Sequence, residues 1–443
     1  MSKASPLRVS EQARRGCGAH TLRAPPALTP CASNDILSIH NSLRLRPPTA
    51  IRAMRRVYLD NNATTPVAPE VLEAILPFFA QEYGNASSIH GFGQKCRAAV
   101  EQARDQLAEL LGARAAEIVF TSGGTESNNQ AIFGVVNAAP GPRKHIVTTT
   151  VEHSAVLNPC QELERRGVEV TYVATSREGR VNPEAIRQAV RAETVLISVM
   201  MANNEIGTLQ PVEAIATMAA EKGIAFHVDA VQAAGKIPVD VKRIGAPLVS
   251  ISGHKLYAPK GVGALYVRDG THLDALLFGG QHGRDGRPGT ENVPGIVGLG
   301  KAAEIARRSL AEETPRIAAL RDRFERGVLA AVPLVRVNGC CAPRSPNTSN
   351  LVFPHVEAEA LVISLDLQGI ACSAGAACSS GTVEPSHVLT AIGLGRADAR
   401  ASVRFSLGRF TSAQEIDYAL DVIPRAVQRL RSLSPTWRDA VVA

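Results

Sequence analysis

HVDAVQ, residues 227–232, and SGHKLYAPKGVGALYV, residues 252–267, decide how this chain is read. Asp229 closes a largely apolar run that begins at Ile224, and Lys255 follows a second run, Pro247 to Ile251, through a small polar turn. Similar short apolar runs recur outward from this pair, at 117–120, 144–149, 168–173, 194–200, 224–229, 247–251 and 262–267. Helical segments separate most of them. This alternation predicts an α/β fold, a mainly parallel seven-stranded sheet with helices on both faces. Such sheets bind ligands beyond the C-terminal ends of their strands, and Asp229 and Lys255 both fall there. Val71, Leu72, Ile75, Leu76 and Phe79 predict one apolar helical face in advance of the first of these strands.

Taken alone, the aspartate and the lysine read as a buried ion pair or a satisfied strand end. The ligand that needs both is pyridoxal 5'-phosphate, whose aldehyde condenses with a lysine amine and whose ring nitrogen keeps its proton beside a carboxylate. Three further stretches bear on this. TSGGTESNNQAI, 121–132, follows a strand and opens a helix, so Gly124 and Thr125 lie where free N–H groups and the helix dipole favour a phosphate. By itself it is also an ordinary glycine turn with a threonine cap. TTTVEHSAV, 148–156, sets His153 just past a strand, where an imidazole can stack on a flat ring or cap a helix. Gln232, three residues past Asp229, can donate to a ring oxygen or lie solvated in a first helical turn.

With YLDNNATTP (58–66), YGNASSIHGFG (83–93), ANNEIGTLQP (202–211), GRPGTENVPGIVG (286–298) and RFSLGRFT (404–411), these stretches resemble the aminotransferase class-V family. More closely they resemble its cysteine desulfurases of the nitrogen-fixation and iron–sulfur assembly (NifS/IscS) type, from about Val57 to Arg431. The resemblance implies the fold-type-I architecture of pyridoxal-phosphate transferases, a homodimer, L-cysteine as substrate and an iron–sulfur scaffold or other sulfur-acceptor protein as partner. It implies that Lys255 holds the cofactor and moves the substrate Cα proton, that Arg404 clamps the substrate carboxylate, and that Asn204 assists at the cofactor oxygen or that carboxylate. Ser252 and His254 join Gly124 and Thr125 around the phosphate, and Thr290 reaches the phosphate of the other subunit. DNNATT and NNEIGTLQP look closer to the nitrogen-fixation form than to the housekeeping form.

CSAGAACSSGTVEPSHVL, 372–389, distinguishes this group. Its Ser, Ala and Gly offer few anchors, which suits a nucleophile that enters a site and leaves with cargo. In the family the cysteine at the place of Cys378 accepts the sulfur. No metal site is firm, although Cys378 could transiently ligate an iron–sulfur cluster. Cys372 reads as packing, with a resolving thiol as the alternative. His153 is the candidate proton shuttle for Cys378, because a free thiol titrates near about 8.5. A selenocysteine lyase, cysteine-sulfinate desulfinase or transaminase is the alternative reading within the family, and a non-catalytic scaffold the alternative outside it.

The 443 residues suffice for two or three domains, with 45% apolar residues and no run long enough to span a membrane. The eight cysteines contain no CxxC pair, and adjacent Cys340 and Cys341 fit no tetrahedral zinc pattern without distant partners. A reducing, cytoplasmic compartment is expected. The formal charge of +7 comes largely from residues 1–53, with eight basic and two acidic side chains. No nucleic-acid patch with interleaved aromatics stands out. That extension is expected to be disordered or a misassigned start before Met54, with organelle import as the alternative. A large cofactor-binding domain is expected over 68–312. A smaller α+β domain, with helices near 314–331, 357–368 and 413–431, is expected from 54–67 and 313–443, carrying the Cys378 loop.

Overall fold

The computed structural model describes residues 56–280, 287–374 and 385–437, all within one compact unit. Thirteen strands run in chain order: β1 (Val57–Tyr58), β2 (Ile118–Thr121), β3 (His145–Thr149), β4 (Glu169–Val173), β5 (Thr194–Met200), β6 (Ala225–Asp229), β7 (Leu248–Ser252), β8 (Gly263–Val267), β9 (Arg336–Val337), β10 (Thr348–Val352), β11 (Ile370–Ala371), β12 (Ser373–Ala374) and β13 (Ser402–Ser406). Seven of them form the main sheet in the order β2-β8-β7-β6-β5-β3-β4. Its four pairings from β7 to β4 are parallel, and only the pairings made by β8 are antiparallel. The expected mainly parallel seven-stranded sheet is therefore present, each strand within a residue or so of its apolar run.

The central strands are largely apolar because both faces are covered. Every residue of β7 is buried, as are six of the seven in β5. A sheet covered on both faces needs continuous apolar strands, not alternating ones. The polar side chains that do enter the interior bond to one another. His227 in β6 lies between Ser198 Oγ of β5 and Ser250 Oγ of β7, at 2.8 Å from each. His145 in β3 bridges Thr194 and Thr171 in the same way. Burial drives both imidazoles toward the neutral form, with His227 pushed down to about 3.

A four-stranded antiparallel sheet, β12-β13-β10-β9, and the parallel pair β1-β11 make up the rest. Arg404 lies mid-strand on β13, opposite Asn350 of β10 and Ser373 of β12. The capping box of Ser412 and Glu415 starts the long C-terminal helix Ala413–Leu433, whose inner face holds Ile416, Ala419, Ile423 and Val427.

Two local expectations are corrected. The helix expected from 314 is the second half of one helix, Val293–Ala331, so the boundary placed at 312/313 falls inside it. Pro315 reads locally as a breaker, but the segment is anchored on both sides of it. Leu299, Ala302 and Ala303 pack in the core under the main sheet, and Phe324 and Val328 in the core under the second sheet. The apolar face expected from Val71 to Phe79 is split. Pro77 starts a new short helix after Pro69–Ile75, so Val71 and Ile75 are buried while Leu72, Leu76 and Phe79 are exposed on this chain.

Candidate active site

The C-terminal ends of β3, β5, β6 and β7 open into a cavity of about 370 Å³. Gly124, Thr125, His153, Asn204, Asp229, Gln232, Ser252, His254, Lys255 and Arg404 all line it. Ten of the twelve residues singled out from the sequence thus meet in one place. Thr290 does not: it is exposed and lines a separate cavity with Ser122, Arg287 and Asn292. Cys378 lies outside the described residues, as does the 1–53 extension.

Lys255 sits on a single turn, Gly253–Lys255, after β7. Its Nζ donates to the carbonyls of Asn62 and Ala63, both at 2.6 Å. Burial lowers its amine to about 8, helped by the charge of Arg404 and opposed by Asp60 and Asp229. Removing an ammonium from water costs free energy unless it loses its proton, so this amine becomes a usable base near neutrality. The chain leaves the turn through Tyr257 at φ +63°, where Thr65 Oγ1 accepts its N–H.

Asp229, the last residue of β6, is buried. Asn128 Nδ2 donates to its Oδ2 at 2.7 Å, and the Val231 N–H donates to Oδ1 at 3.0 Å. These donors fix the carboxylate plane but leave its charge unpaired by any cation bonded to it. Asn128 lies one helical turn beyond Gly124 on the inner face of the helix Gly124–Ala138. No side chain caps the start of that 15-residue helix. His153 takes the helix-cap role, at the edge of the cavity. Its Nδ1 accepts the Ala155 N–H as a helix cap, and the ring lines the cavity. Burial lowers its basicity, and Lys255 and His387 add to that against Asp229.

Gln232 is buried rather than solvated, with its Nε2 on the Asn62 carbonyl at 2.9 Å and its Oε1 accepting from Lys236. Arg404 is also buried. Its Nη2 meets Asp60 Oδ1 at 2.8 Å and its Nη1 meets the Asn204 carbonyl at 3.0 Å. Arg404 Nε and Asn128 Oδ1 are buried polar atoms without a hydrogen-bond partner among the described residues. A buried guanidinium N–H without an acceptor costs free energy. His254 Nδ1 meets Thr64 Oγ1 at 3.1 Å, and burial with neighbouring lysines lowers its imidazole to about 4. Cys372 is buried in the second core, as packing predicts, and burial pushes its thiol up.

Sequence reasoning passed over four contributors. Asn62 is the hub: besides its carbonyl contacts, its side chain bonds Asn204 O, Thr348 Oγ1, Lys236 and Asn347. The doubled asparagine in DNNATT was the available signal. Asn128 was visible four residues past Gly124. Lys236 is half-buried, with its amine driven well down by burial of the ammonium and by Lys255 and Arg404. Glu152 is buried beside His153. Its carboxyl accepts from Thr149 Oγ1 and the Met200 N–H, and burial raises it to about 8. It ties the turn after β3 to the end of β5.

The donor set fits pyridoxal phosphate. The uncapped helix start at Gly124 and Thr125 would take a phosphate. Asp229 would hold a ring cation, Lys255 would take the aldehyde, and Arg404, which lines the cavity, would meet a carboxylate. A fold-type-I sheet with this strand-end constellation defines the class, and the chain belongs to the aminotransferase class-V family, which matches residues 57–419. Within that family it is 50% identical over 381 residues to the cysteine desulfurase IscS of Dictyoglomus turgidum, covering 86% of this chain and 97% of the relative. Among solved structures it is similar to a NifS-like protein at TM-score 0.79 and 37% identity, covering 84% of this chain and all of the other. It is also similar to SspA in complex with cysteine at TM-score 0.71 and 37% identity, covering 80% of this chain and all of the other.

Proposed function

We propose that this chain is a pyridoxal-phosphate-dependent cysteine desulfurase. It converts L-cysteine to L-alanine and passes the sulfur, as a persulfide on Cys378, to an iron–sulfur scaffold or another acceptor protein, nitrogenase-type cluster assembly included. The observation that carries this reading is the meeting of Lys255, Asp229 and Arg404 in one cavity, with the lysine amine lowered to about 8. The cysteine bound by a structural relative and the names of the 50%-identical relatives support the substrate.

Pyridoxal phosphate, when bound, would supply an electron sink that acidifies the substrate Cα–H and so weakens the substrate's Cβ–S bond. The chain supplies the rest. Arg404 holds the substrate carboxylate through its fork, with Asp60 setting the guanidinium plane. Asp229, oriented by Asn128 and Val231, keeps a proton on a ring nitrogen. Lys255 Nζ, freed when substrate binds, takes the Cα proton. Its depressed basicity makes it neutral often enough to do so near pH 8. His153 carries its exchangeable proton on Nε2 when neutral, because Nδ1 accepts from Ala155. A donor at this position can supply a proton to the substrate as the sulfur leaves. We infer a homodimer in which Thr290 serves the partner's site. The exposed Leu72, Leu76, Phe79 and Phe92 support a subunit surface.

Cys378→Ala tests the assignment. It should abolish alanine and sulfide production from L-cysteine while the yellow colour of the bound cofactor persists. Undiminished desulfuration would reject the persulfide route and favour a selenocysteine lyase or another class-V activity. Lys255→Ala should lose turnover altogether; normal turnover in that variant would remove pyridoxal phosphate from the account.

A further inference from the structure

Cys340 and Cys341 are exposed, and their Sγ atoms lie 3.3 Å apart. In sequence they lack further ligands. The fold supplies one: the carboxylate of Glu178 comes within 4.8 Å of both sulfurs. The Cys341 N–H donates to Glu178 Oε2 at 3.0 Å, across 163 positions of chain. Two thiols and a carboxylate, with solvent on the open side, form three corners of a tetrahedron.

The three ligands are held on a common strut, the segment around Thr208. On one side, Thr208 Oγ1 donates to the Glu178 carbonyl at 2.6 Å, and Gln210 Nε2 donates to the Gly179 carbonyl at 2.6 Å. On the other, the Leu209 N–H donates to the Pro343 carbonyl at 2.8 Å, and the Ser345 N–H donates to the Gly207 carbonyl at 2.7 Å. Gly339, at φ +71°, lets the cysteine turn approach that strut, since a Cβ there would fall 2.9 Å from Thr208 Oγ1. The two turns are thus set against each other by hydrogen bonds to backbone groups that do not involve the ligand side chains. The nearby cation does not oppose a metal, because Arg344 is neutralised by a two-pronged pair with Glu325 at 2.7 and 2.9 Å.

We propose that Glu178, Cys340 and Cys341 bind one thiophilic divalent cation, zinc(II), outside the catalytic cavity, with water completing the coordination. Two sulfurs at about 2.3 Å from a tetrahedral zinc stand roughly 3.8 Å apart, so the exposed side chains need only a small rotation from their separation here. The competing use of the pair, a disulfide between neighbours, is disfavoured. Adjacent Cα atoms are about 3.8 Å apart, below the roughly 4.4–6.8 Å that a relaxed disulfide spans. Two thiolates with one carboxylate suit zinc over magnesium or calcium, which prefer oxygen ligands. The cation would clip the 176–179 turn to the 339–345 turn.

The test uses full-length holoenzyme, reduced, stripped of metal by a chelator and kept free of L-cysteine. Zinc(II) is titrated by equilibrium dialysis, and cobalt(II) is added separately as a spectroscopic probe. Wild type and Cys378→Ser should each bind one zinc equivalent that the Cys340→Ser/Cys341→Ser double variant lacks. Glu178→Gln should bind that equivalent at least tenfold more weakly. Cobalt in wild type should give intense thiolate charge-transfer bands that the double variant lacks. Equal zinc stoichiometry in wild type and double variant would overturn the proposal. So would an intact mass lacking two hydrogens that map to a Cys340–Cys341 bond, with no zinc bound after reduction.

Discussion

Lys255 and Arg404 show how burial turns ordinary side chains into reagents. With its amine lowered to about 8, Lys255 attacks an aldehyde only after losing a proton. Cofactor-free protein should therefore take up pyridoxal phosphate at a rate that climbs about tenfold per pH unit below 8 and levels above it. Stopped-flow absorbance would show this, and a flat profile from neutral to mildly alkaline pH would contradict it. Arg404 contributes to that lowering, so Arg404→Gln should move the midpoint upward. The same variant removes a charge-assisted contact worth about 1.5–3 kcal/mol. KM for L-cysteine should rise about tenfold to a hundredfold, with a smaller fall in kcat, measured by alanine formation.

At the scale of elements, the histidine rungs make the main sheet acid-sensitive. His227 is held neutral between two serines on flanking strands, its basicity depressed to about 3. A depressed folded-state value means the stability is fully present above the ordinary value near 6.5 and is lost as pH falls from there toward 3. At pH 5 the penalty is about 2 kcal/mol. Thermal melts should show wild type losing more stability than His227→Gln between pH 6.5 and pH 5. Equal losses would mean that the imidazole gains a proton without cost. The strands themselves were legible because a fully covered sheet writes itself as short apolar runs. The rungs were not, since a lone histidine in such a run does not announce which hydroxyls will flank it.

At the scale of the whole molecule, the helix Val293–Ala331 belongs to both apolar cores. Phe324 is fully buried in its second half, with its ring 4.9 Å from that of Phe405. Phe324→Ala should cost about 3–5 kcal/mol. Because the helix is continuous, far-ultraviolet circular dichroism and loss of the cofactor chromophore should shift together in the melt. Separate transitions would show that the two cores unfold independently. Local reading started a helix near 314, and it placed Leu72, Leu76 and Phe79 on one helical face with Val71 and Ile75. In the helix, packing into both cores overrides the local proline signal; the apolar face is divided by Pro77.

The sequence by itself determined the strands, the glycine turn that opens the phosphate-type helix, and the strand-end positions of Asp229, Lys255 and His153. Those are set by patterns a few residues long. Only the tertiary structure decided that the Asn62 carbonyl would meet Lys255 across 193 residues. It alone brought Asp60 to Arg404 across 344 and Glu178 to the paired cysteines. Such partners share no local period, and packing across the sheets, not chain order, chooses them.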